Sequence, residues 1–92
     1  MIQSFKCKDT LALFKGKAPR RFYAFQNIAE RKLTMLDNAV TLDFLRSPPG
    51  NRLEALKGDR AGQFSIRINN QWRICFKWKN SHVHDVEIVD YH

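Results

Sequence analysis

Residues 63–90 read QFSIRINNQWRICFKWKNSHVHDVEIVD, and apolar and polar side chains alternate along most of this stretch. Alternation with a period of two is typical of β-strands that are buried on one face. Asn69 and Asn70 tolerate the positive φ angles of a tight hairpin, and residues 79–81 form a second turn signal. We therefore predict an antiparallel meander with strands at Gln63–Ile68, Gln71–Trp78 and His82–Val89.

The residues before this meander follow a helical period. From Arg20 to Asp37 apolar side chains recur at three- and four-residue steps, which indicates a single amphipathic helix. A shorter helix is predicted ahead of it, with Asp9 or Thr10 as its N-cap and Gly16 at its end. Both helices carry apolar residues that can cover one side of a sheet.

Two further strands complete the predicted sheet. Residues 2–7 roughly alternate and suit a first strand, and residues 53–56 suit a short strand that enters the meander. A loop is expected at residues 47–51 because neither Pro48 nor Pro49 can donate a backbone hydrogen bond. The predicted fold class is therefore α+β, with an N-terminal strand and helices packed on one face of a curved antiparallel sheet.

The chain is short and strongly basic. Its 92 residues are expected to form one domain, residues 1–92. Sixteen Lys and Arg side chains against nine Asp and Glu give a formal net charge of +7. Such a charge favours an anionic partner, and nucleic acid is the first candidate. The alternative is a protein that is basic without having such a partner.

Composition also bears on compartment and cofactors. No apolar run approaches about 18 residues, so we expect no contact with a membrane, and the first residues lack the apolar region of a signal peptide. Cys7 and Cys75 lack CxxC spacing, which favours reduced thiols in a cytoplasmic protein. His82 and His84 suit surface residues better than a zinc pair. We therefore expect no metal and no other cofactor.

The alternation assigns the arginines of the meander to one face of the sheet. If Trp72 and Ile74 pack under the helices, Arg73 must point the other way, and the same rule applies to Arg67. Two guanidinium groups would then share an open face, where a phosphate can lie between them. For Arg67 the alternative is a solvated outer face of the sheet.

Other titratable and cationic residues lie at the ends of predicted strands. Gly58 permits a sharp bend that places Lys57 at the rim of the sheet. Tyr91 and His92 can move protons, and Asp90 can orient a neighbour. In a regular strand Asp90 and His92 project to one side and Tyr91 to the other. RNA cleavage through the 2′-oxygen needs a base, an acid and cations for the pentavalent phosphate, and it requires no metal.

Taken together, these segments resemble the HigB toxins, plasmid-maintenance killer proteins of the RelE/ParE superfamily. Residues 47–54 are similar to the GraT branch of that family in particular. The resemblance spans the chain from Ser4-Phe5-Lys6 onward. Its motifs are Leu53-x-x-Leu56-Lys57-Gly58-Asp59-Arg60-x-Gly62, Ser65-Ile66-Arg67-Ile68, Trp72-Arg73-Ile74-x-Phe76 and Asp90-Tyr91-His92.

The resemblance implies a microbial-ribonuclease-like RelE fold and the toxin of a bacterial type II toxin–antitoxin system. The implied activity is metal-independent cleavage of mRNA in the ribosomal A site, which inhibits translation and growth. The implied partners are the ribosome with its mRNA and a HigA-type helix-turn-helix antitoxin. Operator DNA would be contacted only through that antitoxin.

The resemblance also implies roles for individual residues. Lys57 and Arg73 match the cationic catalytic residues of the family, and Tyr91 matches a residue that orients substrate or assists proton transfer. Asp90 and His92 match the C-terminal members of the site. Several HigB proteins have a histidine where this chain has Glu54, so the general base is left open between Glu54 and His92. Contact with RNA is expected from basic side chains, with a solvated surface as the alternative: Arg20, Arg21, Arg31, Lys32, Arg60 and Arg67.

Two other classes of function remain as alternatives. ParE proteins share this fold and inhibit DNA gyrase without chemistry, and a nucleic-acid-binding module would need no catalytic groups. Binding alone does not require the combination of Lys57, Arg73 and the terminal residues 90–92, which favours the enzyme.

Overall fold

A computed structural model describes residues 1–91, and in this part of the chain four strands form one sheet. Every neighbouring pair is antiparallel, and the order in the sheet is the order in the chain. The meander predicted from the alternation is therefore confirmed. The strands are β1 (Glu54–Ala55), β2 (Phe64–Arg67), β3 (Trp72–Lys79) and β4 (His82–Asp90).

The hairpin between β2 and β3 closes differently from the prediction. Positive φ angles occur at Asn80 and Ser81 in the next hairpin, and not at Asn69 or Asn70. Instead, the Asn69 Oδ1 accepts hydrogen bonds from the N–H groups of Gln71 and Trp72, each at 2.8 Å. An asparagine side chain can replace a backbone acceptor in a turn, so no left-handed residue is needed at this hairpin.

The first helix, α1, spans Lys8–Phe14 and ends as predicted at Gly16, whose φ is +92°. Its N-cap is Cys7, so the prediction of Asp9 or Thr10 in that position is wrong. Thr10 instead lies fully buried, and its hydroxyl accepts a hydrogen bond from the backbone N–H of Ile88 at 3.0 Å. A threonine near a helix start therefore joins α1 to β4 rather than capping the helix.

The single helix predicted from Arg20 to Asp37 is divided in two. Arg20–Phe25 is a 3₁₀ segment, and α2 spans Gln26–Asn38. A 3₁₀ turn places residues three apart on one side, so Phe22 and Phe25 both pack against Trp72, with ring centroids 6.0 and 5.0 Å away. Contact with a residue on β3 therefore sets the backbone of this segment.

The predicted N-terminal strand is present as two isolated bridges. Ile2 pairs with Val83 and Phe5 with Val86, both parallel to β4. β4 is irregular here, with a register shift opposite Cys75–Lys77 and a φ of +52° at Asp85. The N-terminal segment thus pairs along β4, on the opposite side of that strand from β3.

The hydrophobic core lies between the two helices and one face of the sheet. Its fully buried members include Leu13 on α1, Leu33 on α2 and Phe76 on β3. Leu56 and Cys75 are also buried but lie outside this cluster. No helix within residues 1–91 is both long and apolar enough to cross a membrane.

Candidate active site

Arg73 lies away from the helix-facing core, as the alternation predicts, but it is buried. Its residue exposure is only 7%. The Nε group donates to the Ser65 hydroxyl at 2.7 Å, and Nη2 donates to the backbone carbonyl of Arg52 at 2.6 Å. The expectation of an open guanidinium on this face is therefore wrong, because the segment before β1 and the neighbouring strand β2 cover it.

Arg67 is the register partner of Arg73, yet its side chain is engaged elsewhere. Its Nη2 donates to the side-chain carbonyl of Asn70 within the hairpin. The expected pair of open guanidinium groups is thus wrong at Arg73, which is buried, whereas Arg67 is partly exposed and hydrogen-bonds to the turn.

Two partly exposed groups lie close to the Arg73 guanidinium. Glu54 on β1 places Oε1 3.6 Å from Nη1, and this carboxylate is 51% exposed. The Tyr91 ring centroid is 5.6 Å from the Arg73 Cζ atom, and the residue is 38% exposed. A cation, a carboxylate and a phenol therefore meet where solvent can reach them.

The strand ends place the other predicted site residues. Lys57 is exposed directly after β1, and Gly58 has the positive φ of +64° that a bend at this point requires. Asp90 is the register partner of Trp72, and its Oδ2 accepts a hydrogen bond from the Gln71 side chain at 3.0 Å. Tyr91 and Asp90 thus project to opposite sides, as predicted. His92 lies outside the described residues.

A second charged group lies beside this site. Arg60 donates to the Glu87 carboxylate at 2.8 Å, and Lys6 approaches the same oxygen at 3.9 Å. The hydrogen bond that Arg60 donates to Glu87 raises the pKa of Arg60, and Tyr91 is near enough to contribute in the same direction. Glu87 therefore neutralises part of the charge that was expected to bind RNA at Arg60.

The basic residues before and within α2 have different surroundings. Arg20 and Arg31 are exposed, and their predicted contact with RNA stays a prediction. Arg21 forms an ion pair with Asp9 at 3.6 Å and lies over the Phe22 ring. Lys32 is half-buried and donates to the side chain of the buried Asn51. The alternative of a solvated helix face is therefore wrong for Lys32.

The groups that hold Arg73 are not apparent from any motif. By alternation, Ser65 on β2 and Arg73 on β3 point to the same face of the sheet, and this is the sequence signal that connects them. The Arg52 carbonyl is a backbone group 21 residues away, and Glu87 is 27 residues from Arg60. Such pairs form only once the chain has folded.

A hollow in the protein lies away from Arg73, and residues 1–91 contain no cluster of metal ligands. A hollow of about 370 Å³ is lined by residues 23–28, at the junction of the 3₁₀ segment and α2, and not by the residues around Arg73. Within residues 1–91 no three His, Cys, Asp or Glu side chains are grouped so that they could hold a metal ion. Metal independence stays a prediction.

Comparison with known proteins agrees with this architecture. The family model for the RelE-like toxin of type II toxin–antitoxin system HigB matches residues 11–92. "Toxin HigB-1" of Vibrio cholerae is 41% identical over 76 residues, which cover 71% of this chain and 80% of that protein. "Endoribonuclease HigB" of Proteus vulgaris is 33% identical over 94 residues, which cover both chains completely.

Solved structures show the same fold at low sequence identity. YafQ from E. coli superposes with a TM-score of 0.62 at 16% identity and covers 98% of this chain and 91% of its own. YoeB in the YoeB–YefM toxin–antitoxin complex from Staphylococcus aureus gives a TM-score of 0.62 at 17% identity and covers 100% and 98%. The RelE fold is thereby confirmed. The chain belongs to the HigB family of RelE-like toxins of type II toxin–antitoxin systems.

Proposed function

We propose that this toxin is an endoribonuclease that cleaves mRNA in the A site of the ribosome, in the cytoplasm where translation occurs. Its family membership implies an antitoxin partner. We further propose that this partner is a HigA-type helix-turn-helix protein, which alone contacts operator DNA. Support for the activity comes from the Proteus vulgaris relative, which is named an endoribonuclease and matches along its whole length.

The observation that carries the proposal is the fixed, desolvated guanidinium of Arg73. Ser65 and Arg52 engage Nε and Nη2, so Nη1 is the nitrogen nearest the partly exposed Glu54, and the Tyr91 ring lies beside the guanidinium carbon. A preorganised donor stabilises developing charge far better than a mobile one. On this proposal Nη1 binds the scissile phosphate and stabilises the pentavalent transition state.

We propose the following roles for the other groups. Glu54 is close enough to the phosphate site to take the proton of the attacking 2′-oxygen, and His92 is the alternative base. Tyr91 orients the substrate or assists proton transfer, and Lys57 supplies a second cation at the rim. Asp90 projects to the opposite side from Tyr91, so it can orient a neighbour but does not contact the phosphate in this proposal. Removing one preorganised hydrogen-bond donor that stabilises a transition state typically lowers the rate by about 10²- to 10³-fold.

The test is primer extension on mRNA bound to translating ribosomes. Lys57→Ala changes an exposed side chain, and Arg73→Lys keeps a charge but loses the planar fork. Both should reduce cleavage by at least about 100-fold. Lys79→Ala, an exposed lysine at the end of β3, is the matched control and should cleave like the parent.

Arg73 also joins β3 to Ser65 and Arg52, so its variants need thermal unfolding curves beside the cleavage assay. Cleavage at the parental rate by a folded Arg73→Lys protein would exclude Arg73 from the chemistry. Growth inhibition by the parent with intact message and stalled DNA gyrase would contradict the ribonuclease proposal and support the ParE-like alternative.

A further inference from the structure

A buried asparagine connects α2 with the segment that holds Arg73. Asn51 has no exposed surface, and its Oδ1 accepts a hydrogen bond from the Lys32 ammonium. Its Nδ2 donates to the Leu45 carbonyl at 3.1 Å and contacts the Met35 sulfur at 3.0 Å. Both ends of this amide are occupied, and a buried polar group with all its partners has a defined orientation.

The next residue carries the contact to the active site. Arg52 has a left-handed backbone, with φ 45° and ψ 56°, and its carbonyl accepts the 2.6 Å hydrogen bond from Arg73 Nη2. This conformation is unfavourable for a residue with a Cβ atom. Neighbouring contacts must therefore hold it, and the anchored side chain of Asn51 is the one directly before it.

The surroundings of Lys32 are costly for a positive charge. The side chain is half-buried, and burial lowers its pKa, with Arg31 and Arg67 adding like-charge repulsion. A lysine that only decorates a helix surface avoids such a site by extending into water. The hydrogen bond to Asn51 offsets part of this cost.

We propose that Lys32 and Asn51 are positioning residues for Arg73. Their hydrogen bond anchors residue 51, which holds the Arg52 carbonyl and, through it, the guanidinium. The inference deepens the proposed function and rests on it for the role of Arg73 in catalysis. It assigns Lys32 to the support of the active site and not to contact with ribosomal RNA.

An isosteric pair of variants separates these roles. Lys32→Gln retains an N–H donor for Asn51, whereas Lys32→Met does not, and both remove the charge. Lys79→Met, at an exposed position at the end of β3, is the control for loss of charge alone. Lys32→Ala serves as a second donor-free variant if the methionine protein fails to fold.

Two measurements are made on each protein. The first is the hydrogen-exchange rate of the Arg73 Nε–H group, followed by NMR in the toxin without RNA. The second is kcat and KM for cleavage of ribosome-bound mRNA. We expect Lys32→Met to exchange Arg73 Nε–H at least about tenfold faster and to lose about 10- to 100-fold in kcat, with KM little changed. Lys32→Gln should stay close to the parent in both.

The outcomes distinguish the two levels of the proposal. Equal losses in the glutamine and methionine variants, expressed in KM and dependent on salt, with an unchanged Arg73 signal, would make Lys32 an RNA contact and overturn the inference. An unchanged Arg73 signal alone would also overturn it. A parent toxin that does not cleave mRNA would refute the proposed function, while the NMR comparison would still decide the positioning role.

Discussion

At the scale of single residues, the site depends on how one buried cation is paired. Arg73 has acceptors on Nε and Nη2, whereas Nη1 faces a carboxylate at 3.6 Å that is half-exposed. A substrate phosphate must share that nitrogen with Glu54 or displace it. Glu54 is therefore either the base, placed beside the phosphate by Arg73, or a competitor for the same site.

Glu54→Gln decides between these two roles. As the general base, Glu54 contributes about 10²- to 10⁴-fold, so the variant should cleave ribosome-bound mRNA at least about 100-fold more slowly. Asp59→Asn, at an exposed position after β1, is the control and should retain the parental rate. Near-parental cleavage by Glu54→Gln would remove Glu54 from the mechanism, and faster cleavage would identify its carboxylate as a competitor.

At the scale of elements, α1 is attached to β4 by a buried side-chain hydrogen bond. The Thr10 hydroxyl accepts from the Ile88 N–H at 3.0 Å, across 78 residues of sequence. On the same edge of β4, opposite β3, the strand also pairs with the N-terminal segment, where Lys6 N–H donates to the Val86 carbonyl at 3.0 Å. β4 therefore contacts α1, the N-terminal segment and β3. Tyr91, the residue directly after β4, lies beside Arg73.

Thr10→Val should destabilise the protein by about 1–3 kcal/mol, because an isosteric side chain leaves the Ile88 N–H buried without its acceptor. Urea unfolding followed by circular dichroism measures the change. Thr34→Val, on the exposed face of α2, should cost less than about 0.5 kcal/mol. Equal stabilities for Thr10→Val and the parent would mean that the hydrogen bond contributes nothing to holding α1 on the sheet.

At the scale of the whole molecule, one face of the sheet packs against a large hydrophobic core. Charged side chains, including the pairs Arg60–Glu87 and Arg73–Glu54, lie on the other face. Cys75 is fully buried outside the main core, on the face of the sheet where Arg60 pairs with Glu87. Burial raises the pKa of its thiol above the ordinary value of 9.0. A buried neutral thiol thus contributes to the stability of this face at physiological pH.

This contribution depends on pH in a defined direction. The pKa of Cys75 is higher in the folded protein than in the unfolded chain. The contribution of its thiol to the free energy of unfolding is therefore complete below about pH 9 and is lost as the pH rises toward the folded pKa. Cys75→Ala should therefore lose less stability than the parent between pH 7 and pH 10, in urea titrations under a reductant. Parallel losses in the two proteins would contradict the buried-thiol explanation.

The lowered pKa of Lys32 acts in the opposite direction, since a charged lysine that is costly to bury makes the fold more stable as it deprotonates. Comparison of the parent with Cys75→Ala cancels this effect, because Lys32 is present in both proteins. The difference between the two curves therefore reports the thiol.

Local patterns in the sequence were sufficient for the strands, their order and the directions of their side chains. Alternation predicts strands close to β2, β3 and β4, and it directs Arg73 and Tyr91 away from the helix-packed residues. Both properties depend on the backbone of a strand, whose side chains alternate whatever lies around them. In combination, the motifs at residues 53–62, 65–68, 72–76 and 90–92 likewise indicate the HigB family without reference to any tertiary contact.

Tertiary structure alone determined the environment of each site residue. The burial of Arg73 depends on Arg52 and Ser65, and the support of that contact depends on Lys32 reaching Asn51 across 19 residues. The break of the predicted helix at residue 25 depends on packing against Trp72. Periodicity specifies where a side chain points, but the partner it meets there comes from a distant part of the chain, and that partner determines its exposure, charge state and chemistry.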